Sequence, residues 1–224
     1  MGHWPVDGVV VVGAGGFGRE VVALVRELRA AGSEFDVAGV VDDTPTATNR
    51  ERLDRLGIPL LGTVDDLMRN PRGTQVALGI GGAAARKAIT QRLDDAGATF
   101  ATLVHPTSWV SPDVILGEGA IICAGARLNT NVSLGRHVHI DQNATVGHDC
   151  VLEDFVRLNP QACVSGDVTI GAGTQIGANA TVLQGLTVGS DSTVGAGAVV
   201  TRDVPSGVVV AGVPARALDS APWH

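Results

Sequence analysis

The stretch V-G-H-D-C puts an imidazole and a carboxylate on neighbouring positions, His148 and Asp149, inside a run that otherwise reads as repetitive β structure. An imidazole changes charge near neutral pH and so can take or give a proton. A second chemical signal stands near the start. G-A-G-G-F-G over residues 13–18 is a full G-x-G-x-x-G between an apolar run and a helical pattern, and Asp42 closes the next apolar run. Backbone amides at such a glycine turn grip a pyrophosphate at a helix N-terminus. A third group, His137 and His139 with His148, raises a metal. Alternate residues on one strand share a face, but His148 lies too far along to join them, and no zinc-type spacing continues. Those two histidines read as exposed surface residues, and no metal is expected.

Composition narrows the classes. The chain has 224 residues, with 45% hydrophobic content but only 3% aromatics, no Tyr and 30 Gly. A core of Val, Ile, Leu and Ala with so few large rings suggests thin, regular layers in one large domain or two small ones. The formal charge of -7 argues against nucleic acid or an anionic membrane as partner. An anionic small molecule stays open, because local amides override net charge. Cys123, Cys150 and Cys163 form no C-x-x-C pair, which points to a reducing, cytoplasmic setting. The opening M-G-H-W-P-V-D-G carries no signal-peptide pattern, and no apolar run is long enough to cross a bilayer, so no membrane insertion is expected.

The elements that must position these groups fall into two halves. Over residues 1–106 strand and helix signals alternate. Val9 to Val12 is a strand, followed by a helix with Val21, Val22, Leu24, Val25 and Leu28 on one face. Val37 to Val41 is a second strand ending in Asp42-Asp43, Pro45 and Asn49 mark a loop, and residues 64–69 read as a short helix. Gln75 to Ile80 is a third strand, Ala83 to Ala96 a helix, and Ala101 to Val104 a last short strand. Alternation of this kind implies a parallel sheet with helices on it, here half of a doubly wound, Rossmann-like domain.

From Val110 the period becomes six. Val110, Leu116, Ile122, Leu128, Leu134, Ile140, Val146, Leu152, Leu158, Val164, Ile170, Ile176, Val182, Val188, Val194 and Val200 are all aliphatic and in register without an insertion. Small residues recur at the fifth place, as at Ala120, Ala126, Ala144, Cys150, Ala162 and Ala180. Gly, Asn or Asp often follows the aliphatic residue, as at Gly117, Asn129, Gly135, Asp141 and Gly147, where the sharp corner is expected. This is the hexapeptide repeat of a parallel β-helix. It resembles the left-handed β-helix acyltransferases. The fold class is therefore α/β plus all-β: a Rossmann-like half domain over 1–106, a left-handed parallel β-helix over 107–213, and a tail over 214–224.

Three hexads make one triangular coil of such a solenoid, so residue 166 lies directly above His148 and 130 below, at roughly 4.8 Å per coil. Residue 166 is Gly, which leaves the imidazole uncovered and the Gly166 amide within a ligand's reach. A base beside a bare amide donor suits acyl transfer. The base takes the nucleophile's proton, worth about 10²–10⁴-fold, and the amide holds the developing oxyanion, worth about 10²–10³-fold. The alternative is an exposed polar histidine on a solenoid face.

V-G-H-D-C-V-L-E-D-F-V, with G-A-G-G-F-G-R-E-V, V-V-D-D, L-G-I-G…R-K, H-P at 105–106 and G-V-P-A-R at 212–216, resembles the bacterial nucleotide-sugar acetyltransferases. That family includes UDP-4-amino-sugar and GDP-perosamine N-acetyltransferases and sialic-acid O-acetyltransferase relatives. The resemblance implies His148 as general base, Asp149 as its holder and Gly166 as donor to the thioester carbonyl. It implies acetyl-CoA as co-substrate along Ala178 and Ala196, with Arg216 near its phosphates. It implies a nucleotide at Gly13, Gly15, Gly16, Asp42 and Asp43, with Gly81 and Gly82 nearby. It also implies a homotrimer whose active sites lie between subunits. The chain departs from relatives that carry His at Arg157, Asn at Asp141, Gly at Gln161 and His at Phe17. Arg157 is then expected to meet an anionic group, and Asp141 an ammonium.

The expected activity is acetyl-CoA-dependent N-acetylation of a nucleotide-linked amino sugar. O-acetylation of a sugar or sialic acid would use the same site. Two readings of other classes stand beside it: an NAD-binding oxidoreductase, which the glycine motif alone would favour but which lacks a second mononucleotide half, and a non-catalytic trimer that binds sugar nucleotides.

Overall fold

The computed structural model describes residues 8–69 and 74–218. The N-terminal segment up to residue 7, read above for a leader, and residues 219–224 of the expected tail lie outside the described residues. The chain divides at Pro106/Thr107 into two compact units.

The first unit is built from β1 (Val9–Val12), α1 (Gly16–Ala30), β2 (Val37–Val41), α2 (Ala47–Leu56), β3 (Leu60–Gly62), α3 (Val64–Met68), β4 (Gln75–Leu78), α4 (Ala83–Asp95), β5 (Thr99–Phe100) and β6 (Leu103–Val104). Its five-stranded parallel sheet runs β3-β2-β1-β4-β5. β1 is wholly buried at the centre, as its unbroken Val run requires of a strand covered on both faces. Strand order reverses between β1 and β4, and the crevice at their C-terminal ends is where ligands of such sheets bind. Gly18 completes the glycine turn by close approach: a β-carbon there would overlap the Gly13 carbonyl.

Three expectations for this unit need correction. Asn49 is not in a loop but in the first turn of α2, where its N–H donates to the Thr46 side chain that caps the helix. α2 buries only Leu53, so no apolar stripe announced it. β3 also went unread. The last strand begins earlier than Ala101: Thr99–Phe100 pairs with β4, and Leu103–Val104 is separate.

The second unit is a left-handed parallel β-helix. Two-residue strands recur every six residues from β7 (Trp109–Val110) to β22 (Val199–Val200), and each ends on a hexad aliphatic. Through β19 each pairs in parallel with the strand one coil on, as Thr145 with Cys163 and Val146 with Val164. From Ile122 to Val200 those aliphatic side chains are at most 3% exposed where they are buried, and the small residues Ala120, Ala126, Ala144, Cys150, Ala162 and Ala180 are fully buried beside them. Burying each Val, Leu or Ile contributes about 1.5–3 kcal/mol, so the interior is a ladder of many equal contributions. The final coil is two residues shorter: β23 (Val209–Ala211) pairs with Thr193–Val194.

The corner itself sits elsewhere than expected. Apart from glycines, the residues with left-handed backbone are Asn131, His137, Asn143, Asp149, Phe155, Gln161, Asp167, Asn179 and Asp191, three places after the aliphatic rather than one. The glycine right after the aliphatic serves close packing instead: a β-carbon on Gly147 would lie 2.5 Å from the Gly166 nitrogen in the next coil. The expected tail also begins as structure. β24 (Arg216–Ala217) returns antiparallel to β23.

His137 and His139 are both fully buried, which overturns their reading as surface histidines. His137 occupies a left-handed corner, stacked on Phe155 of the next coil with ring centroids 5.2 Å apart. His139 pairs in register between Ile121 and Arg157.

Candidate active site

His148 and Asp149 occupy the corner between β13 (Thr145–Val146) and β14 (Val151–Leu152). Asp149 takes the left-handed backbone at φ 59°, which Asp tolerates through its short polar side chain. This turns the His148 side chain outward, 62% exposed, with Nδ1 2.6 Å from Asp149 Oδ2. An ionised carboxylate only accepts, so Nδ1 donates and Nε2 is left to accept a proton. Asp149 stays ionised well into acid: the Asn131 side-chain amide, then His148, hold its carboxyl below the usual range.

Gly166 stands one coil above. A β-carbon on it would lie 2.6 Å from both Cε1 and Nε2 of His148, so only glycine leaves room for the ring in this position. Its carbonyl accepts from Gly185 N–H at 3.1 Å. Its own N–H has no hydrogen-bond acceptor among the described residues. An accepting imidazole nitrogen and a bare amide thus meet on one corner. The chemistry they can perform together is removal of a proton from a nucleophile and stabilisation of a nearby oxyanion.

Outward amides recur at this place of every hexad, and the chain treats them unequally. On the next corner along the chain they are capped: Arg136 N–H by Asp154, Ala172 N–H by Glu153 and Ser190 N–H by Ser206. The amides of Gly166, Ala178 and Ala196 have no such cap among the described residues. Ala178 is half-buried and Ala196 exposed, and Gly197 N–H donates to the Ala178 carbonyl at 2.8 Å. Arg216 is exposed on β24, with Nη1 2.8 Å from the Ala215 carbonyl.

Asp141 and Arg157 were expected to meet charges on a substrate, but they pair with each other. Arg157 Nε and Nη2 both donate to Asp141 Oδ2, at 3.0 and 2.7 Å. The side chains are only 14% and 1% exposed, so the pair is largely withdrawn from water.

The first unit carries a separate cleft of ≈ 390 Å³, within the range of small-molecule sites. Gly13, Gly15, Gly16, Asp42, Asp43 and Gly81 line it; Gly82 lies just beyond and caps α4. Asp42 braces the glycine turn, accepting Ala14 N–H at Oδ2 and Thr44 N–H at Oδ1, both at 2.8 Å. Asp43 accepts Val64 N–H and so anchors the start of α3. The four helices among the described residues divide by their caps. Thr46 and Thr63 cap α2 and α3 with side chains, whereas α1 and α4 start from Gly15 and Gly82 with no side-chain cap. Uncapped helix N-termini offer amides and the positive dipole end to an anion.

Sequence reasoning missed Arg19, which donates to the Ala14 carbonyl at 2.7 Å and to Asn49 at 2.9 Å, fixing the glycine turn from below. It also missed the apolar cleft wall of Val64, Ile80 and Ile89. Asn131, the donor to Asp149, was missed as well, though its spacing of one coil before Asp149 would have revealed it.

Among the described residues no group of three His, Cys, Asp or Glu is placed to hold a metal ion. No helix there is long and apolar enough to cross a membrane.

The PglD N-terminal domain matches residues 8–93, and the bacterial transferase hexapeptide (six repeats) matches 167–202. UDP-N-acetylbacillosamine N-acetyltransferase of Bacillus subtilis (strain 168) is 34% identical over 116 residues, 52% of this chain and 51% of the relative. The match thus spans about half the length of that curated relative. A mutant of perosamine N-acetyltransferase from Caulobacter crescentus, solved with CoA and GDP-perosamine, superposes with a TM-score of 0.85 at 32% identity. That match covers 98% of this chain and 100% of the other. The acetyltransferase domain of PglB from Neisseria gonorrhoeae FA1090, solved with acetyl coenzyme A, gives 0.82 at 35% identity over 95% and 99% of the two chains.

Proposed function

The chain belongs to the PglD-type family of hexapeptide-repeat transferases, and from that premise we propose that it transfers an acetyl group from acetyl-CoA to the amine of a nucleotide-linked amino sugar. The observation that carries the reading is the meeting of His148 Nε2 with the uncapped amide of Gly166 on one corner. Relatives solved with CoA, GDP-perosamine or acetyl-CoA support the substrate class.

The amine nitrogen attacks the thioester carbonyl carbon and its proton passes to His148 Nε2. Gly166 N–H donates to the oxygen as it becomes an oxyanion. The carbon–sulfur bond then breaks, the amide forms, and the CoA thiolate leaves and takes up a proton from the imidazolium. Asp149 stabilises that imidazolium without itself becoming protonated, the division of labour seen in other His–carboxylate pairs.

In this reading Gly13, Gly15, Gly16, Asp42, Asp43, Gly81 and Gly82 serve the nucleotide, and the glycine-capped starts of α1 and α4 face its phosphates. The uncapped corner of Ala178 and Ala196 serves the pantetheine arm of CoA, and Arg216 its phosphates. The enzyme works in the cytoplasm as a homotrimer with active sites between subunits. Ile115 and Val151, apolar and exposed on one face of the solenoid, support such an assembly.

The test is thiol release from acetyl-CoA across a panel of UDP-, GDP- and dTDP-linked 3-amino and 4-amino sugars. Release with one member of the panel supports the reading and fixes the nucleotide. Silence across the panel, with reduced nicotinamide cofactor or a sialic acid taken up instead, would overturn it.

A further inference from the structure

The corner that carries His148 repeats one column every eighteen residues: Asp113, Asn131, Asp149 and Asp167. Asn131, Asp149 and Asp167 share the left-handed backbone, with φ of 57°, 59° and 59°. Four stacked carboxylates at coil spacing would repel one another. This chain places an amide on the rung directly below Asp149.

That amide is held from below and acts upward. Asn131 N–H donates to Asp113 Oδ2 at 2.8 Å. Asp113 also accepts from Ser111 Oγ and Thr130 Oγ1, each at 2.5 Å. The Ser111 hydroxyl, then Thr130 and the Asn131 amide, bring the Asp113 carboxyl down to about 2, so it stays a fixed acceptor. From this footing Asn131 Nδ2 donates to Asp149 Oδ1 at 2.6 Å. The other oxygen of the same carboxylate faces His148 Nδ1. With one oxygen held by Asn131, the carboxylate cannot turn away from the ring.

We propose that Asn131 is a positioning residue of the acyl-transfer site: it aligns Asp149, and through Asp149 it sets the tautomer and direction of His148. The role rests on the function proposed above for His148, but the geometry of the relay does not. Asn also tolerates a left-handed corner for purely local reasons, so the role must be separated from corner-holding. Glycine does that. Gly185 and Gly197 hold the same kind of corner in this solenoid, so Asn131→Gly removes the donor without straining the turn. Asn131→Asp keeps the shape and replaces the donor with a second carboxylate. The charged and titratable groups around the relay are Asp113 below, Asp167 above, His148 beside it and the buried Cys150 thiol, which burial pushes up.

The experiment combines nitrogen-15 NMR of the histidine rings in the full chain with steady-state kinetics of wild type and both variants. The wild type is expected to show His148 protonated on Nδ1, and Asn131→Gly a mixture of tautomers. Its kcat should fall about 10- to 100-fold at unchanged KM, with a modest drop in thermal midpoint from the lost contact to Asp149. Asn131→Asp should move the acid limb of kcat/KM to higher pH, because added negative charge favours the imidazolium. An unchanged ring signal, with kcat and the acid limb within about twofold in both variants, would overturn the role. A wild type inactive on every acceptor would overturn the proposed function instead, and the ring signals would still decide the relay.

Discussion

The imidazole of His148 rests against the α-carbon of Gly166, close enough that a single added methyl group would lie 2.6 Å from Nε2. The base and the amide share a corner because the chain returns to the same place after one coil. Their alignment is therefore set by the solenoid and not by a flexible loop.

Gly166→Ala tests that contact. The His148 side chain is 62% exposed and can swing outward, so the solenoid should fold with little change in thermal midpoint. Base and oxyanion donor would lose their alignment, and kcat should fall about 100-fold or more. Retention of full activity would show that the ring does not work in this position.

Asp141 and Arg157 should respond unequally to truncation. Removing Arg157 takes two charge-assisted hydrogen bonds from a carboxylate that is 1% exposed, at a cost of about 3–5 kcal/mol. Removing Asp141 leaves an arginine that is 14% exposed and long enough to reach water, so the cost should be smaller. Urea unfolding of the two single variants checks the order, and equal losses would contradict it.

The first column of the solenoid should make stability depend on acid. The carboxyls of Asp113 and Asp149 both lie below their ordinary value of 3.8, Asp113 at about 2. A depressed carboxyl contributes stability that is complete above its unfolded value and is lost as pH falls through its folded one. The thermal midpoint should therefore drop between about pH 4 and pH 2. Asp113→Asn should flatten that part of the profile and lower its upper plateau. An unchanged slope would remove Asp113 from the account.

Gly18→Ala tests the cleft. The added methyl group meets the Gly13 carbonyl, so the turn or helix α1 must shift, at about 1–3 kcal/mol. Calorimetry should show weaker nucleotide binding together with a lower midpoint. Unaltered binding would place the nucleotide elsewhere.

Much of this site could be counted off the sequence. The hexad register puts Gly166 above His148 by arithmetic, and the glycine motif with Asp42 marks the cleft. What escaped has physical reasons. The corner is set by φ, and its occupants range from Asn131 to Phe155 and Gln161, so no single residue type marks it. His137 and His139 are buried by stacking and strand pairing that hydrophilic character conceals. Arg157 reaches Asp141 across neighbouring strands, sixteen residues apart, whereas the backbone repeats at eighteen. Helix α2 is held by a threonine cap and one buried leucine, and so shows no apolar period.

In the proposed reaction His148 removes the proton of the acceptor amine. The most direct measurement is thiol release from acetyl-CoA by wild type and His148→Ala, with nucleotide affinity and oligomeric state recorded on the same samples. The variant should fold, assemble and bind nucleotide as wild type does, while its turnover falls about 10²–10⁴-fold. Turnover equal to wild type would contradict the account and return His148 to an exposed polar residue on a solenoid corner.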